Sequence, residues 1–135
     1  MSNDSAGKTI LCIDDDDGVL SYHKALLERR GYEVLTAASA RQGLQLAEVC
    51  PVAAVIVDYH MPEMNGHEVA TKIKRIRPQV PIVMVSGDDA VREQALDAID
   101  AFVSKDEVGS CLLSVLNRVC REVPSNFTVS DRSIA

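Results

Sequence analysis

The fold is decided by the stretch Ala53-Ala-Val-Ile-Val-Asp-Tyr-His-Met-Pro-Glu-Met-Asn-Gly66. The apolar residues 53–57 are too few for a helix and are rich in Val and Ile, so they predict a strand that is buried on both faces. Asp58 ends this strand, and Pro62 and Gly66 then take the backbone into a loop. Ligands of open α/β sheets bind outside the carboxyl ends of the strands. Asp58 is therefore either a polar strand cap or a reactive group at the mouth of a site.

The composition is typical of one α/β domain. The chain has 135 residues, of which 47% are hydrophobic and 4% aromatic, so a core of Val, Ile, Leu and Ala is expected. The net charge of −6 argues against direct binding of nucleic acid. Residues 1–8 lack the apolar stretch of a signal peptide, and no run approaches the roughly 18 apolar residues of a membrane span. We therefore expect a cytoplasmic protein without a membrane contact.

The cysteines show no metal-binding or disulfide pattern. Cys12, Cys50, Cys111 and Cys120 have no CxxC spacing and fall inside apolar strand or helix patterns. We interpret them as reduced residues that are buried or partly exposed.

Hydrophobic patterns predict five strands that alternate with five helices. The strands are expected at 9–13, 32–36, 53–58, 81–85 and 101–104, and the helices at 19–30, 40–49, 66–77, 90–99 and 107–121. Such alternation requires right-handed crossovers, and hence a doubly wound parallel sheet with helices on both faces. Residues 1–7 are expected to form a flexible tail, 8–122 the domain, and the polar 123–135 a tail or the start of a linker.

A run of four carboxylates, Asp14 to Asp17, follows the first strand. Asp16 or Asp17 can cap the next helix, whose amino terminus favours negative charge. The surplus acids Asp14 and Asp15 repel one another, and a hard cation such as Mg²⁺ would relieve that repulsion.

The first predicted helix carries a stripe made of Val19, Tyr22, His23, Leu26 and Leu27. We interpret His23 as a residue of the helix surface rather than as a ligand.

Four of the five predicted strands end in groups that could converge at one edge: Asp14 with Asp15, Asp58, Ser86 and Lys105. Three carboxylates require positive charge, which one divalent cation and the lysine would supply. The hydroxyl and the ammonium group can bind anionic oxygens, so the set suits phosphoryl transfer. A central Asp58 could then act as the nucleophile and become an aspartyl phosphate.

The order and spacing of these groups resemble the receiver domain of two-component response regulators. The matching positions are Asp14-Asp15, Asp58-x-x-Met61-Pro62-x-Met64-x-Gly66, Ser86-Gly87 and Lys105. The resemblance covers about residues 8–122. It implies a CheY-like, flavodoxin-like fold with a five-stranded parallel sheet in the order 2-1-3-4-5.

The resemblance also implies a phosphorylation site and a metal site. Asp58 would be the phosphoacceptor, Asp15 a direct ligand of Mg²⁺, and Asp14 a ligand acting largely through water. Asp58 and the backbone carbonyl of His60 would complete the metal site, in which Mn²⁺ can substitute for Mg²⁺.

Further roles that the resemblance implies concern Ser86, Lys105 and Phe102. Ser86 would hydrogen-bond the phosphoryl group and Lys105 would pair with it, while a phosphohistidine on a sensor kinase or phosphotransfer protein would be the donor. Movement of Ser86 would let Phe102 turn inward and remodel the face made by the fourth helix, fifth strand and fifth helix, although Phe102 could also be simple core packing. The chain would thus be a signalling switch rather than an enzyme, promoting its own phosphorylation and slow dephosphorylation. That face would bind an unknown effector or a second phosphorylated copy.

Two positions depart from the family pattern. Receivers usually carry a cis proline after the lysine, and here that residue is Asp106. A non-proline cis bond costs about 2.5 to 4 kcal/mol, so a trans bond is expected. Asp106 could cap the fifth helix or draw Lys105 away, and we expect slower or weaker phosphorylation than in a proline-bearing receiver. His60 could shield the phosphoryl group from water, or pair with it when protonated.

One alternative is also phosphoryl chemistry. The segment Asp15-Asp-Asp-Gly-Val-Leu20 resembles the DxDG(T/V)L motif of haloacid-dehalogenase-type phosphatases, with Ser86, Lys105, Asp88 and Asp89 as partners. However, that family places its acidic pair after the lysine, and the motif around Asp58 would be unexplained.

The other alternative is a receiver-like interaction module that acts without phosphorylation, for which Asp106 is the main support. The sequence does not choose between a complete regulator and a receiver excised from a longer regulator or hybrid kinase.

Overall fold

The computed structural model describes residues 7–122 of the 135-residue chain. The predictions for 1–6 and 123–135 lie outside these residues. Ten regular elements follow one another, and they are β1 (Thr9–Ile13), α1 (Asp17–Glu28), β2 (Glu33–Ala37), α2 (Ala40–Val49), β3 (Ala54–Asp58), α3 (Gly66–Ile76), β4 (Ile82–Ser86), α4 (Val91–Ala95), β5 (Ala101–Ser104) and α5 (Val108–Glu122). Short 3₁₀ turns occupy Leu96–Ala98 and Lys105–Glu107.

The strands form one parallel sheet in the order β2-β1-β3-β4-β5. This confirms the predicted doubly wound architecture and places β3 in the centre of the sheet. Ile13 of β1 pairs with Val57 of β3, and Asp58 pairs with Val85 of β4. The residues that follow β1 and β4 therefore lie on either side of Asp58.

Two apolar layers cover the sheet. Along β3, Ile56 packs in the layer under α1 and α5, whereas Val55 and Val57 pack in the layer under α2, α3 and α4. This alternation follows from the two-residue period of a strand. Every residue of β3 is buried, as the apolar run predicts, so the strand that carries Asp58 has little freedom to shift.

The first helix differs from the prediction in which residues it buries. Leu20, His23 and Leu27 form its buried stripe at intervals of three and four residues. His23 is only 3% exposed, so its assignment to the helix surface was wrong, whereas Tyr22 is 51% exposed. Tyr22 and His23 are adjacent in sequence and point about 100° apart on a helix, so they cannot both face the core.

The fourth helix is shorter than the predicted range 90–99. It ends at Ala95 and continues as a 3₁₀ turn. Asp100 pairs with the start of β4, since its amide donates to the carbonyl of Ile82 and its carboxylate accepts from the Ile82 amide, both at 2.8 Å. The chain must reach the sheet at this point, which leaves no room for a further α-helical turn.

The four cysteines are free thiols; Cys12 and Cys120 are buried, and Cys50 and Cys111 are half-buried. Among residues 7–122, no helix has the length and apolarity that crossing a membrane requires.

Candidate phosphoryl and metal site

Three carboxylates meet at the carboxyl edge of the sheet. Asp14 and Asp15 follow β1, and Asp58 ends the neighbouring strand β3. Each contributes one oxygen to a cluster in which all three atoms lie within 4.8 Å of one another. Asp14 and Asp58 are 2% and 4% exposed, whereas Asp15 is exposed. The structure thus brings together the three acids that the sequence predicts as metal ligands.

Backbone contacts hold Asp14 in place. Its amide donates to the carbonyl of Ala37 at 3.1 Å, and its Oδ1 accepts from the amide of Asp16 at 2.9 Å. Asp16 in turn caps α1 by accepting from the amides of Gly18 and Val19, as one of the two predicted alternatives requires. Neighbouring acids of the run therefore have different roles, because Asp16 caps α1 whereas Asp14 is directed at the cluster.

Lys105 supplies the positive charge nearest to Asp58. It begins the 3₁₀ turn after β5, and its Nζ lies 3.3 Å from Asp58 Oδ1. The contact is an ion pair rather than a well-directed hydrogen bond, since Oδ1 is buried without a hydrogen-bond partner. Asp14 Oδ2 is buried and unpartnered as well. Buried oxygens without partners are costly, so the site favours a cation that would bind them.

The pKa shifts of the two buried acids also indicate a site that favours a cation. The pKa of Asp14 is raised to about 6, mainly by burial and in addition by the charge of Asp58, against the opposing effect of the Asp16 amide. Burial also raises the pKa of Asp58, although Lys105 opposes this. For Lys105, partial burial acts to lower the pKa, but the charges of Asp58 and Asp14 outweigh it and the pKa is raised. The negative charge of the cluster exceeds what one lysine compensates.

The donor set fits Mg²⁺. All the candidate ligand atoms are carboxylate oxygens, which hard divalent cations prefer, and exposed Asp15 leaves room for the waters that Mg²⁺ retains. The backbone carbonyl of His60, two residues after Asp58, stays a prediction as a further ligand.

Ser86 ends β4 on the other side of Asp58. Its side chain is fully buried, and Oγ accepts a hydrogen bond from the amide of Asp88 at 3.0 Å. Ser86 therefore lies at the predicted edge, but its hydroxyl is engaged within its own loop.

The loop after Asp58 is closed by Gly66. A Cβ at this position would lie 2.5 Å from the carbonyl oxygen of Asp58 and 2.8 Å from the Cα of Tyr59, so no larger residue fits without a backbone shift. The Gly66 amide donates to the Tyr59 carbonyl at 2.8 Å, and a capping box between Asn65 and Glu68 starts α3. Gly66 thus fixes the backbone of Asp58 against α3, a role that the sequence indicated only as a loop breaker.

Two exposed side chains face each other beside the site. His60 Nε2 lies 3.7 Å from Asp88 Oδ2, with both side chains about half exposed or more. Asp88 also accepts from the Ala90 amide at 2.9 Å, a contact within the loop that precedes α4. The pairing of His60 with Asp88 was not foreseen from the sequence, because it joins two loops that only the fold brings together.

Phe102 lies in β5 and is half-buried against the layer under α2, α3 and α4. The guanidinium carbon of Arg92, in α4, lies 4.8 Å from the centre of its ring. Next to it, Ser104 Oγ donates to Asp89 Oδ1 at 3.3 Å. These contacts tie the start of α4 to β5, while the coupling of Phe102 to Ser86 stays a prediction.

Asp106 departs from its expected role as a helix cap. Within residues 7–122 its side chain forms no hydrogen bond, and α5 begins at Val108 after the 3₁₀ turn. The peptide bond before Asp106 is trans, as expected, and Lys105 is directed at Asp58 rather than at Asp106.

Comparisons with known proteins agree with this geometry. A family model described as response regulator receiver domain matches residues 10–117. The chain is 27% identical over 131 residues to the alkaline phosphatase synthesis transcriptional regulatory protein PhoP of Bacillus subtilis, covering 92% of this chain and 55% of PhoP. It is 32% identical over 100 residues to the transcriptional regulatory protein SrrA of Staphylococcus aureus, covering 73% of this chain and 39% of SrrA. The chain therefore spans about half the length of the curated relatives that it matches.

Solved structures show the same fold. A CheY-like receiver domain protein from Methanospirillum hungatei is 32% identical, with a TM-score of 0.81, and the match covers 85% of this chain and 94% of that one. The response regulator TrrA from Thermotoga maritima, in complex with Mg²⁺-BeF, is 26% identical with a TM-score of 0.80, over 83% of this chain and 98% of that one.

Proposed function

Because the chain belongs to the response regulator receiver domain family, we propose that it is a two-component signalling switch in which Asp58 accepts a phosphoryl group. The observation that carries the proposal is the position of Asp58, a buried carboxylate 3.3 Å from Lys105 and within 4.8 Å of Asp14 and Asp15. A nucleophilic carboxylate must be ionised, and the lysine charge favours that form against the effect of burial.

The reaction moves one phosphoryl group. A carboxylate oxygen of Asp58 attacks the phosphorus of a donor phosphohistidine, a P–O bond forms, and the P–N bond breaks. The imidazole of the donor leaves with the electron pair of that bond and takes up a proton. Lys105 lies where it can bind a phosphoryl oxygen, and Ser86 would bind another after releasing the Asp88 amide.

Asp14, Asp15, Asp58 and the His60 carbonyl would hold Mg²⁺, or Mn²⁺ in its place. When bound, the cation neutralises charge that develops on the phosphoryl oxygens. Support comes from the unpartnered buried oxygens of Asp14 and Asp58, and from the relative TrrA, which is in complex with Mg²⁺-BeF.

The donor would be a sensor histidine kinase or a histidine phosphotransfer protein. Phosphorylation would draw Ser86 from the Asp88 amide and release Phe102 to turn inward, changing the face made by α4, β5 and α5. That face would bind a downstream effector or a second phosphorylated copy. Contacts of Asp89 and Arg92 with β5 support this route, because they join the segment that follows Ser86 to the strand that carries Phe102.

The phosphatase interpretation has less support. It requires Asp15 as the nucleophile, but Asp15 is exposed and forms no ion pair within residues 7–122, whereas buried Asp58 pairs with Lys105. The other alternative, an interaction module that acts without phosphorylation, is distinguished from the proposed switch by the following experiment.

The direct test is incubation of the protein with acetyl phosphate and Mg²⁺, followed by intact-mass analysis. We expect an adduct of one phosphoryl group that depends on Mg²⁺ and is absent in Asp58→Asn. Asp17→Asn is the matched control, because Asp17 belongs to the same acidic run but lies in the first turn of α1, outside the cluster. A folded protein that binds Mg²⁺ and forms no adduct would instead be a passive module.

A further inference from the structure

A groove of about 510 Å³ separates α2 from α3 on the outer surface of the protein. Its walls are one face of each helix, since the contributing residues recur at intervals of three and four. The lining consists of Arg41, Leu44, Gln45 and Glu48 from α2, Met64 from the preceding loop, and Lys72, Arg75 and Ile76 from α3. None of these residues belongs to the candidate site around Asp58.

The floor of the groove is apolar and partly open to solvent. Leu44 and Met64 are half-buried, and Ile76 is 38% exposed. Val49, at the end of α2, is 71% exposed. Val49 and Ile76 lie at the same end of the helix pair, because Arg77 donates to the carbonyls of Ala47 and Glu48 and so ties the two helix ends together. Apolar surface of this kind gains from being covered.

The rim of the groove is cationic. Arg41, Lys72 and Arg75 form no ion pair or hydrogen bond with residues 7–122 through their side chains, in contrast to Lys74 and Lys105. Glu48 is the acidic residue among those lining the groove, so the three cations against one carboxylate leave an excess of positive charge.

This local charge is opposite in sign to the net charge of −6 of the chain. At physiological ionic strength, charges farther than about 8 Å are largely screened. The cations at the rim therefore decide the potential that a ligand meets in the groove.

We propose that the groove between α2 and α3 docks an acidic amphipathic helix of a partner protein. Two parallel helix faces form a trough into which a third helix can lay an apolar stripe with spacing i, i+3, i+4 and i+7. Asp and Glu residues beside that stripe would meet Arg41, Lys72 and Arg75. The surface is separate from the α4-β5-α5 face, so the proposal does not depend on phosphorylation of Asp58.

The test uses a labelled synthetic peptide with Leu at this helical spacing and Glu at the other positions. Binding to the full chain is followed by fluorescence anisotropy and by amide chemical shifts in ¹⁵N NMR. We expect saturable binding that weakens as salt rises, with the largest shifts in α2 and α3. A peptide with the same Leu pattern but Lys in place of Glu should not bind.

Charge reversal distinguishes the groove from a general charge effect. Arg41→Glu and Arg75→Glu should each raise the Kd for the acidic peptide by about fivefold or more, the effect expected for loss and reversal of one ionic contact. Arg118→Glu is the matched control, because Arg118 is an exposed cation on α5, on the opposite face of the sheet, and should change the Kd by less than about twofold. Arg41 lies in the first turn of α2, where an acid favours the helix, so weaker binding would not reflect lost structure.

Several outcomes would overturn the proposal. They are a lack of saturable binding, shifts centred outside α2 and α3, equal binding of the Lys peptide, or an equal effect of Arg118→Glu. Concentration-dependent shifts of the groove residues without any peptide would assign the groove to a second copy of this chain instead.

Discussion

Replacement of Asp14 by Asn is expected to stabilise the metal-free protein. Asp14 is almost fully buried beside Asp58, and its Oδ2 has no hydrogen-bond partner. The amide of Asn has nearly the same shape but no charge, and its oxygen can still accept from the amide of Asp16.

The magnitude follows from the pKa of Asp14, which burial raises from 3.8 to about 6. Between these two values the folded protein binds more protons than the unfolded chain, so stability falls as pH rises through this window. Each pH unit corresponds to about 1.4 kcal/mol, which gives a loss of about 3 kcal/mol that is complete above the folded pKa and absent below pH 3.8. Asp14→Asn should therefore gain about 2 to 3 kcal/mol at pH 8 and almost nothing near pH 4.

The assay is equilibrium unfolding in urea, followed by circular dichroism, in EDTA at several pH values. Asp17→Asn is the control, because Asp17 lies in the first turn of α1 and its removal should cost a few tenths of a kcal/mol or more. With excess Mg²⁺ the native protein should gain stability through binding, and the advantage of Asp14→Asn should shrink. An Asp14→Asn protein that is no more stable at pH 8, or a difference that does not change with pH, would refute the reasoning.

Four further predictions concern single residues. Gly66→Ala should destabilise the protein by about 1 to 3 kcal/mol in urea unfolding, because the added Cβ meets the carbonyl of Asp58 at 2.5 Å; unchanged stability would show that the loop moves freely. His60→Ala should shorten the lifetime of the phosphorylated protein, measured by intact mass over time, because the imidazole beside the site, 3.7 Å from Asp88, would no longer shield the phosphoryl group from water; equal lifetimes in both proteins would contradict this. Asp106→Pro should speed phosphorylation by acetyl phosphate, since proline favours the peptide geometry that aims Lys105 in the family, and identical rates would count against a role for Asp106. Burial lowers the pKa of His23, so the folded protein should lose stability as pH falls below 6.5, where the unfolded chain gains a proton and the fold does not; His23→Leu should remove that part of the pH dependence, and an unaltered profile would disprove it.

The fold could be predicted because its buried strands have short apolar sequences that are easily recognised. Residues 53–57 form a short apolar run that is rich in Val and Ile, as expected for a strand covered on both faces, and β3 is buried throughout. Parallel strands bring their carboxyl ends to one edge, so the meeting of Asp14, Asp58 and Lys105 follows from topology alone.

The rest depends on contacts between distant parts of the chain. The sequence does not show which face of α1 is buried, since Tyr22 and His23 are both amphipathic and fit a broad apolar stripe equally well. The end of α4 is set by the pairing of Asp100 with Ile82, 18 residues away. The contact of Arg92 with Phe102 likewise depends on side-chain placement that no local pattern encodes.

The central position of β3 has a consequence for how such a site can vary. Asp58 borders acids from the β1 side and a hydroxyl and an ammonium group from the β4 and β5 side. Under the proposed function, substitutions on the first side would alter the affinity for a cation, and substitutions on the second would alter the binding of phosphoryl oxygens. The strength of metal binding and the duration of the signal would therefore depend mainly on opposite sides of Asp58, with the charge of Asp14 acting on Lys105 as the link between them.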